Sequence, residues 1–296
     1  MKKIAVLGAN GYIARNLVYV LKNEYPDFKL KLYGCEPDSV DNVPDYYVVD
    51  MTDKEAVKSI DLSCDIIFMF VGRTGSANGF ESYDSFIDIN ERTLLNLLAE
   101  YRRQNSKARI VFPSTRLVYK GKTGILREDS EKEFKTIYAI NKYACEQYLK
   151  QFNNVYNVSY SIFRICVPYG SLIPGASSYG TAEFMLNKAS KGENITLYGD
   201  GSARRTLTYI GDLCKSIIEG ALTDKCLNDV FNIGGEDYSL KEMADLIAKK
   251  YGVDVEYIPW PDVALKIESG DTVFDSEKLD SAIGNISVNK FSDWIQ

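Results

Sequence analysis

Three groups of residues in this chain have the types and spacing of a hydride-transfer site. Gly8-Ala9-Asn10-Gly11-Tyr12-Ile13-Ala14 follows a short apolar run, Thr115 ends a later one, and Tyr138 and Lys142 bound Tyr138-Ala139-Ile140-Asn141-Lys142. An interval of four puts phenol and ammonium on one face of a helix. An ammonium stabilises phenolate, so Lys142 is expected to draw the Tyr138 pKa down from about 10 toward neutrality. Such a tyrosine can take the proton of a secondary alcohol as hydride leaves the same carbon, then return it. The Thr115 hydroxyl can orient the reacting oxygen. Ser114 is its rival; strand alternation sends the two to opposite faces, so only one can serve. Tyr-x-x-x-Lys alone is common by chance, and Tyr143 stands nearby. The order of all three groups makes the case.

The glycines at 8 and 11 allow a tight turn and close approach to a pyrophosphate, while Asn10, Tyr12 and Ile13 lie where a helix N-terminus offers free N–H groups. An ordinary strand-to-helix turn is the plainer reading of the same residues. Ala14 takes a third small position, suited to close helix–strand packing. Glu36, after the second apolar run, can accept both ribose hydroxyls of NAD and would repel the 2′-phosphate of NADP. Asp38 is its alternative. Asp50 could accept an adenine amino group with Met51 against the ring, or could cap the turn before Asp53.

The elements that must position these groups alternate. Candidate strands are 3–7, 29–34, 46–49, 65–71, 108–114 and 159–165; helical spacing covers 11–22, 54–60, 82–103 and 136–152. That is an α/β, Rossmann-like, doubly wound parallel sheet. After Val167 the chain turns loop-rich, with a helix expected over 182–191, a strand over 195–198, and a return to the sheet at Val230-Phe231-Asn232-Ile233. The reading is a cofactor domain over 1–166, rejoined around 206–235, with a smaller substrate-binding cap from 167–205 and 236–296.

Composition narrows the chemistry. At 296 residues with 45% hydrophobic and 26% charged residues, the chain reads as a globular enzyme. A formal charge of −6 argues against a nucleic-acid partner. No apolar stretch approaches the ~18 residues of a membrane span. The chain contains no histidine, which excludes Ser-His-Asp hydrolysis and a His-ligated metal; proton transfer falls to carboxylate, Lys, Cys or Tyr. Six cysteines without a Cys-x-x-Cys pair suit a reducing cytoplasm.

At these residues the chain resembles the extended short-chain dehydrogenase/reductases, specifically the NAD-dependent nucleotide-sugar epimerase/dehydratase family, over nearly its whole length. The glycine turn, Ser114-Thr115-Arg116-Leu117-Val118-Tyr119, the Tyr138/Lys142 pair, Asn90 before a long helix, Arg164-Ile165-Cys166-Val167-Pro168-Tyr169-Gly170 and the stretch from Gly199 to Asp212 carry the likeness. The resemblance implies Thr115, Tyr138 and Lys142 as catalytic residues. It places Val71, Gly72, Asn90 and Lys142 beside the cofactor, and Tyr169 and Arg205 on the substrate, Arg205 at its diphosphate; Arg73, outside the family pattern, can reach either the substrate or a surface carboxylate. It also implies a homodimer through the helices at 82–103 and 136–152.

Three departures matter. Arg116 and Leu117 stand where the family's 4,6-dehydratases carry Asp-Glu for water elimination, which disfavours a dehydratase. Val167 replaces an asparagine, and Phe70-Val71-Gly72-Arg73 replaces Leu-Ala-Ala. The expected activity is NAD-dependent epimerisation of a nucleotide-diphosphate sugar at C4 through a transient ketone. A keto nucleotide-sugar reductase or dehydrogenase is the alternative, and a non-catalytic dinucleotide sensor a third reading.

Overall fold

The computed structural model describes residues 1–178 and 180–296. Its main sheet holds β1 (Lys3–Leu7), β2 (Lys29–Gly34), β3 (Tyr46–Val48), β4 (Ile66–Met69), β5 (Arg109–Thr115), β6 (Tyr160–Ile165) and β7 (Asp229–Asn232). They lie in the order β7-β6-β5-β4-β1-β2-β3, and every pairing is parallel. Parallel strands connect through crossovers that cover both faces, so the central ones need apolar residues on both sides. β4 is buried at every position, and so is β5. Order reverses between β1 and β4, which opens a crevice at their carboxyl ends. The glycine turn leaves β1 there, and Phe70-Val71-Gly72-Arg73 leaves β4.

On one face, α1 (Tyr12–Glu24) lays Leu17, Val18 and Leu21 against the sheet. On the other, α2 (Thr93–Arg103) and α3 (Ile137–Tyr156) bury Leu97, Leu98, Cys145 and Leu149. α3 starts where the Thr136 hydroxyl accepts the Ala139 N–H at 3.1 Å, a cap that stabilises a helix by about 1 kcal/mol. It ends at Asn157, whose φ of 55° is left-handed. α4 (Ile210–Leu222) returns to the α1 side with Leu213, Ile217 and Ile218, and leads into β7.

Two expected helices differ. Residues 54–60 form only a 3₁₀ turn, Ala56–Ser59, because it buries a single side chain, Val57. The stretch 82–103 is broken into Tyr83–Ile87, a π-helical turn Asp88–Arg92, and α2. That turn aims Asn90 inward, and such bulges recur at functional sites.

The smaller lobe has a three-stranded sheet of Val167–Tyr169, Arg204–Tyr209 and Glu236–Ser239, and a pair joining Ile195–Tyr198 to Val255–Ile258. The helices Thr181–Ala189 and Leu240–Tyr251 close over a core that includes Met185, Leu197, Met243 and Phe291. Ile125–Leu126 pairs with Val273–Phe274 beside Tyr119. Among the described residues, no helix is long and apolar enough to cross a membrane.

Candidate active site

Gly8 has φ +78°, and a Cβ there would stand 2.8 Å from the Val71 nitrogen. Only glycine lets the β1 turn pass this close to the end of β4. The turn is held by the Gly8 and Ala9 N–H groups donating to the Tyr33 carbonyl at 2.8 and 3.0 Å. Gly11 caps α1 without any side-chain bond, so the first-turn N–H groups around Tyr12 and Ile13 keep no side-chain acceptor. Asn10 turns its amide to the second loop. It donates to Glu36 Oε2 at 3.2 Å and to the Asp38 carbonyl at 3.0 Å, and it accepts the Val40 N–H at 3.0 Å. Glu36 is thereby set beside the glycine turn, whereas Asp38 meets Asn10 only through its backbone. Tyr12 spends its hydroxyl on the Gly170 carbonyl, joining the turn to the smaller lobe at 2.7 Å. The exposed Asp50 accepts from the Thr52 N–H and hydroxyl, the turn-capping arrangement, while keeping a second carboxylate oxygen; Met51 is buried.

Thr115 and Ser114 meet different residues of α3. The Thr115 hydroxyl neighbours the Tyr138 phenol and draws its pKa down, while the Ser114 hydroxyl donates to buried Glu146 at 2.6 Å. Burial pushes the Tyr138 phenol up to about 12, and the neighbouring Thr115 hydroxyl pulls the other way. The expected lowering by Lys142 is absent. Its Nζ lies 6.0 Å from the Tyr138 ring centroid, donates to the Pro113 carbonyl at 2.9 Å and sits over the Phe112 ring. Burial brings the Lys142 ammonium down to about 8. One bond of three leaves two of its N–H donors for a further acceptor.

Asn90 clamps the β4 loop, accepting the Arg73 N–H at 2.9 Å and donating to the Arg73 carbonyl at 3.1 Å. A Cβ on Gly72 would come 3.2 Å from Asn90 Oδ1 and 3.6 Å from Lys142 Nζ. The bare Gly72 therefore leaves the approach to Lys142 open, beside Val71. The free helix N–H groups, the Glu36 carboxylate and this ammonium beneath Gly72 fit a dinucleotide laid across the crevice.

Residues beyond those expected support the site. Arg164 donates to both Glu146 oxygens at 2.9 and 2.6 Å and to Tyr119 Oη at 2.7 Å, and Tyr119 donates to Asn232 at 2.6 Å. Burial alone would lower the Arg164 guanidinium; its bond and charge contact with Glu146 outweigh this and raise it. Glu146 continues the Tyr138–Lys142 spacing by another four residues, a signal present in the sequence but ordinary for any helix.

On the substrate side the expected residues part company. Tyr169 is 1% exposed, packed among Tyr209, Phe291 and Trp294. It holds the smaller lobe from within and presents no ligand surface, which corrects its assignment. The exposed Arg73 donates to Ser85 at 2.6 Å and lies over the Phe86 ring. Arg205 is buried, with Glu268 Oε1 at 2.6 Å and the Arg204 and Gly270 carbonyls as acceptors. Arg116 stands near it and donates to Ser269 Oγ at 2.7 Å.

With this geometry, the likeness to known proteins is specific at the family level. The model of the NAD dependent epimerase/dehydratase family matches residues 4–234. A putative UDP-glucose 4-epimerase of Methanocaldococcus jannaschii is 27% identical, covering 86% of this chain and 84% of that protein. A GDP-mannose 3,5-epimerase of Arabidopsis thaliana is 23% identical over 94% and 77%. Among solved structures, Pal from Bacillus thuringiensis superposes with a TM-score of 0.88 at 20% identity, covering 99% and 96%. The Thermus thermophilus UDP-glucose 4-epimerase complex with NAD superposes with 0.85 at 22%, with the same coverage. A Rossmann-like sheet, a glycine turn and a Thr-Tyr-Lys constellation thus coincide with a match over most of the sequence, and the chain belongs to the NAD dependent epimerase/dehydratase family.

Proposed function

We propose that this protein is an NAD-dependent epimerase of a nucleotide-diphosphate sugar, inverting C4 through a transient 4-keto sugar. The observation that carries the reading is the meeting of Thr115 and Tyr138, with Lys142 beneath an open glycine, at the carboxyl edge of the sheet. Residues 1–166 with 206–235 hold the cofactor in this reading, and 167–205 with 236–296 form the cap over the sugar. Bound NAD supplies the hydride acceptor and, in the return step, the donor.

The chain's own part is proton handling and orientation. Tyr138 accepts the proton of the sugar hydroxyl as its carbon is oxidised, and returns it to the ketone oxygen on reduction. Thr115, beside the phenol, offers its hydroxyl to orient that oxygen. Lys142 offers its free N–H donors to the nicotinamide ribose. A phenol left near 12 by burial holds its proton too tightly at neutral pH, so its role as base needs a positive charge beside it, which the nicotinamide ring of bound NAD would supply. Arg116 and Leu117 supply no carboxyl pair for water elimination.

The test incubates protein and NAD with UDP-, GDP-, CDP- and dTDP-sugars, following products by NMR and the reduced-nicotinamide absorbance. An isomer formed without net cofactor change is expected. Stoichiometric consumption or production of NAD(P)H would replace the reading with a reductase or dehydrogenase. Tyr138→Phe should lower kcat by roughly 10²–10⁴ with NAD still bound; unchanged function would point to a dinucleotide sensor.

A further inference from the structure

Glu36 is exposed, yet it is held on two sides. Asn10 Nδ2 donates to its Oε2 at 3.2 Å, and the Tyr46 hydroxyl donates to its backbone carbonyl at 2.9 Å. Asn10 also donates to Tyr46 Oη at 3.3 Å, so the glycine turn, the glutamate and the phenol close a triangle of contacts.

Tyr46 reaches Glu36 from the edge strand because of two features of the backbone. β3 pairs with β2 so that Tyr46 stands opposite Leu32, on the face that Gly34 shares. A Cβ at Gly34 would collide with Tyr46 Oη and stand 3.2 Å from Glu36 Oε2. The missing side chain is what lets the ring lie toward the glutamate. Burial, and after it the charge of Glu36, push the Tyr46 phenol up to about 12, so it keeps its proton and remains a donor.

Nothing around this loop invites a phosphate. Between Lys31 and Lys54 the sequence carries Glu36, Asp38, Asp41, Asp45, Asp50 and Asp53, and no lysine or arginine. Arg15 reaches the loop from α1, but its Nε donates to Asp41 at 2.8 Å and its Nη groups donate to the Pro174 and Gly175 carbonyls. A carboxylate after the second strand favours a free ribose over a phosphorylated one. That general preference holds only while the carboxylate stays in place, because a glutamate on a free loop can turn its charge into solvent. We infer that Tyr46 is a specificity-determining residue of the dinucleotide site: by fixing the Glu36 backbone beside Asn10, it keeps the carboxylate where it accepts ribose hydroxyls and repels a 2′-phosphate. The inference rests on the NAD reading and deepens it. Tyr46 acts through Glu36 and is a positioning residue.

Calorimetric titration of the nucleotide-free protein with NAD and NADP tests it. The unmutated protein should bind NAD at least tenfold more tightly than NADP. Tyr46→Phe, which keeps the ring and removes only the hydroxyl, should narrow that ratio roughly fivefold, the worth of one hydrogen bond, with NADP unchanged or tighter. Glu36→Gln should narrow it further, and adding Tyr46→Phe to Glu36→Gln should change the ratio no more. Equal weakening of both nucleotides in Tyr46→Phe overturns the inference, since the hydroxyl then serves only the fold. The same narrowing in the Glu36→Gln background also does, because the effect then does not pass through the carboxylate. Equal affinity of the unmutated protein for the two nucleotides overturns it as well. A clear preference for NAD under either of the first two results leaves the NAD reading standing; no affinity for either nucleotide removes both.

Discussion

Lys142 serves the proposed chemistry at a cost to stability. Its folded pKa of about 8 lies below the ordinary 10.5 of a lysine, and burial is the cause. Between these values the unfolded chain binds more protons than the folded one, so stability from this group rises with pH across that window. Below about 8 the whole penalty is present. Lys142→Met should therefore raise Tm at pH 7 by roughly 2 °C or more and abolish turnover, and the stability gain should shrink as pH climbs toward 10; scanning calorimetry across that range checks it. No gain at pH 7 would mean that the bond to Pro113 outweighs burial. The four-residue spacing made this pair legible in the sequence. The direction of the Tyr138 shift was not legible, because spacing says which groups share a face and nothing about how much water reaches them.

At the scale of elements, β5, β6, β7 and α3 are tied by Ser114, Arg164, Asn232 and Glu146, with Tyr119 between them. Removing one partner of a buried ion pair strands the other, at about 3–5 kcal/mol. Glu146→Ala should lose stability of that order in a urea titration and depress kcat, because α3 carries Tyr138 and Lys142. Loss near zero would show the network to be dispensable. Apolar runs and glycine turns made the six N-terminal strands readable to within a residue or two at most ends. The strands of two to four residues at Ile125, Glu236, Val255 and Val273 were unreadable, since so few positions carry no periodicity. The π-helical turn was hidden too, because Asn90 is turned inward by an acceptor and donor on distant Arg73. Tyr169 followed the motif but not its role: the aromatic residues that enclose it, Phe291 and Trp294, lie more than a hundred positions away.

For the whole molecule, Ile87, Leu95, Ile140 and Tyr156 stand 37–46% exposed on the helices expected to meet in a homodimer. We propose that these faces pair. Sedimentation should give twice the 33.3 kDa chain mass, and Leu95→Asp with Ile140→Asp should halve it; a single-chain mass for the unmutated protein would rule the pairing out. The return of the chain to lay β7 against β6 has a separate consequence, for biosynthesis. As a ribosome delivers the polypeptide, β1 to β6 emerge long before Asp229–Asn232 does, and through that interval β6 is an open strand edge with unpaired backbone groups. Open edges invite pairing with other chains, and larger folds are most vulnerable while such surfaces wait for their cover. Much of the smaller lobe is synthesised during this wait, so the main sheet is finished only after that part of the lobe has been made.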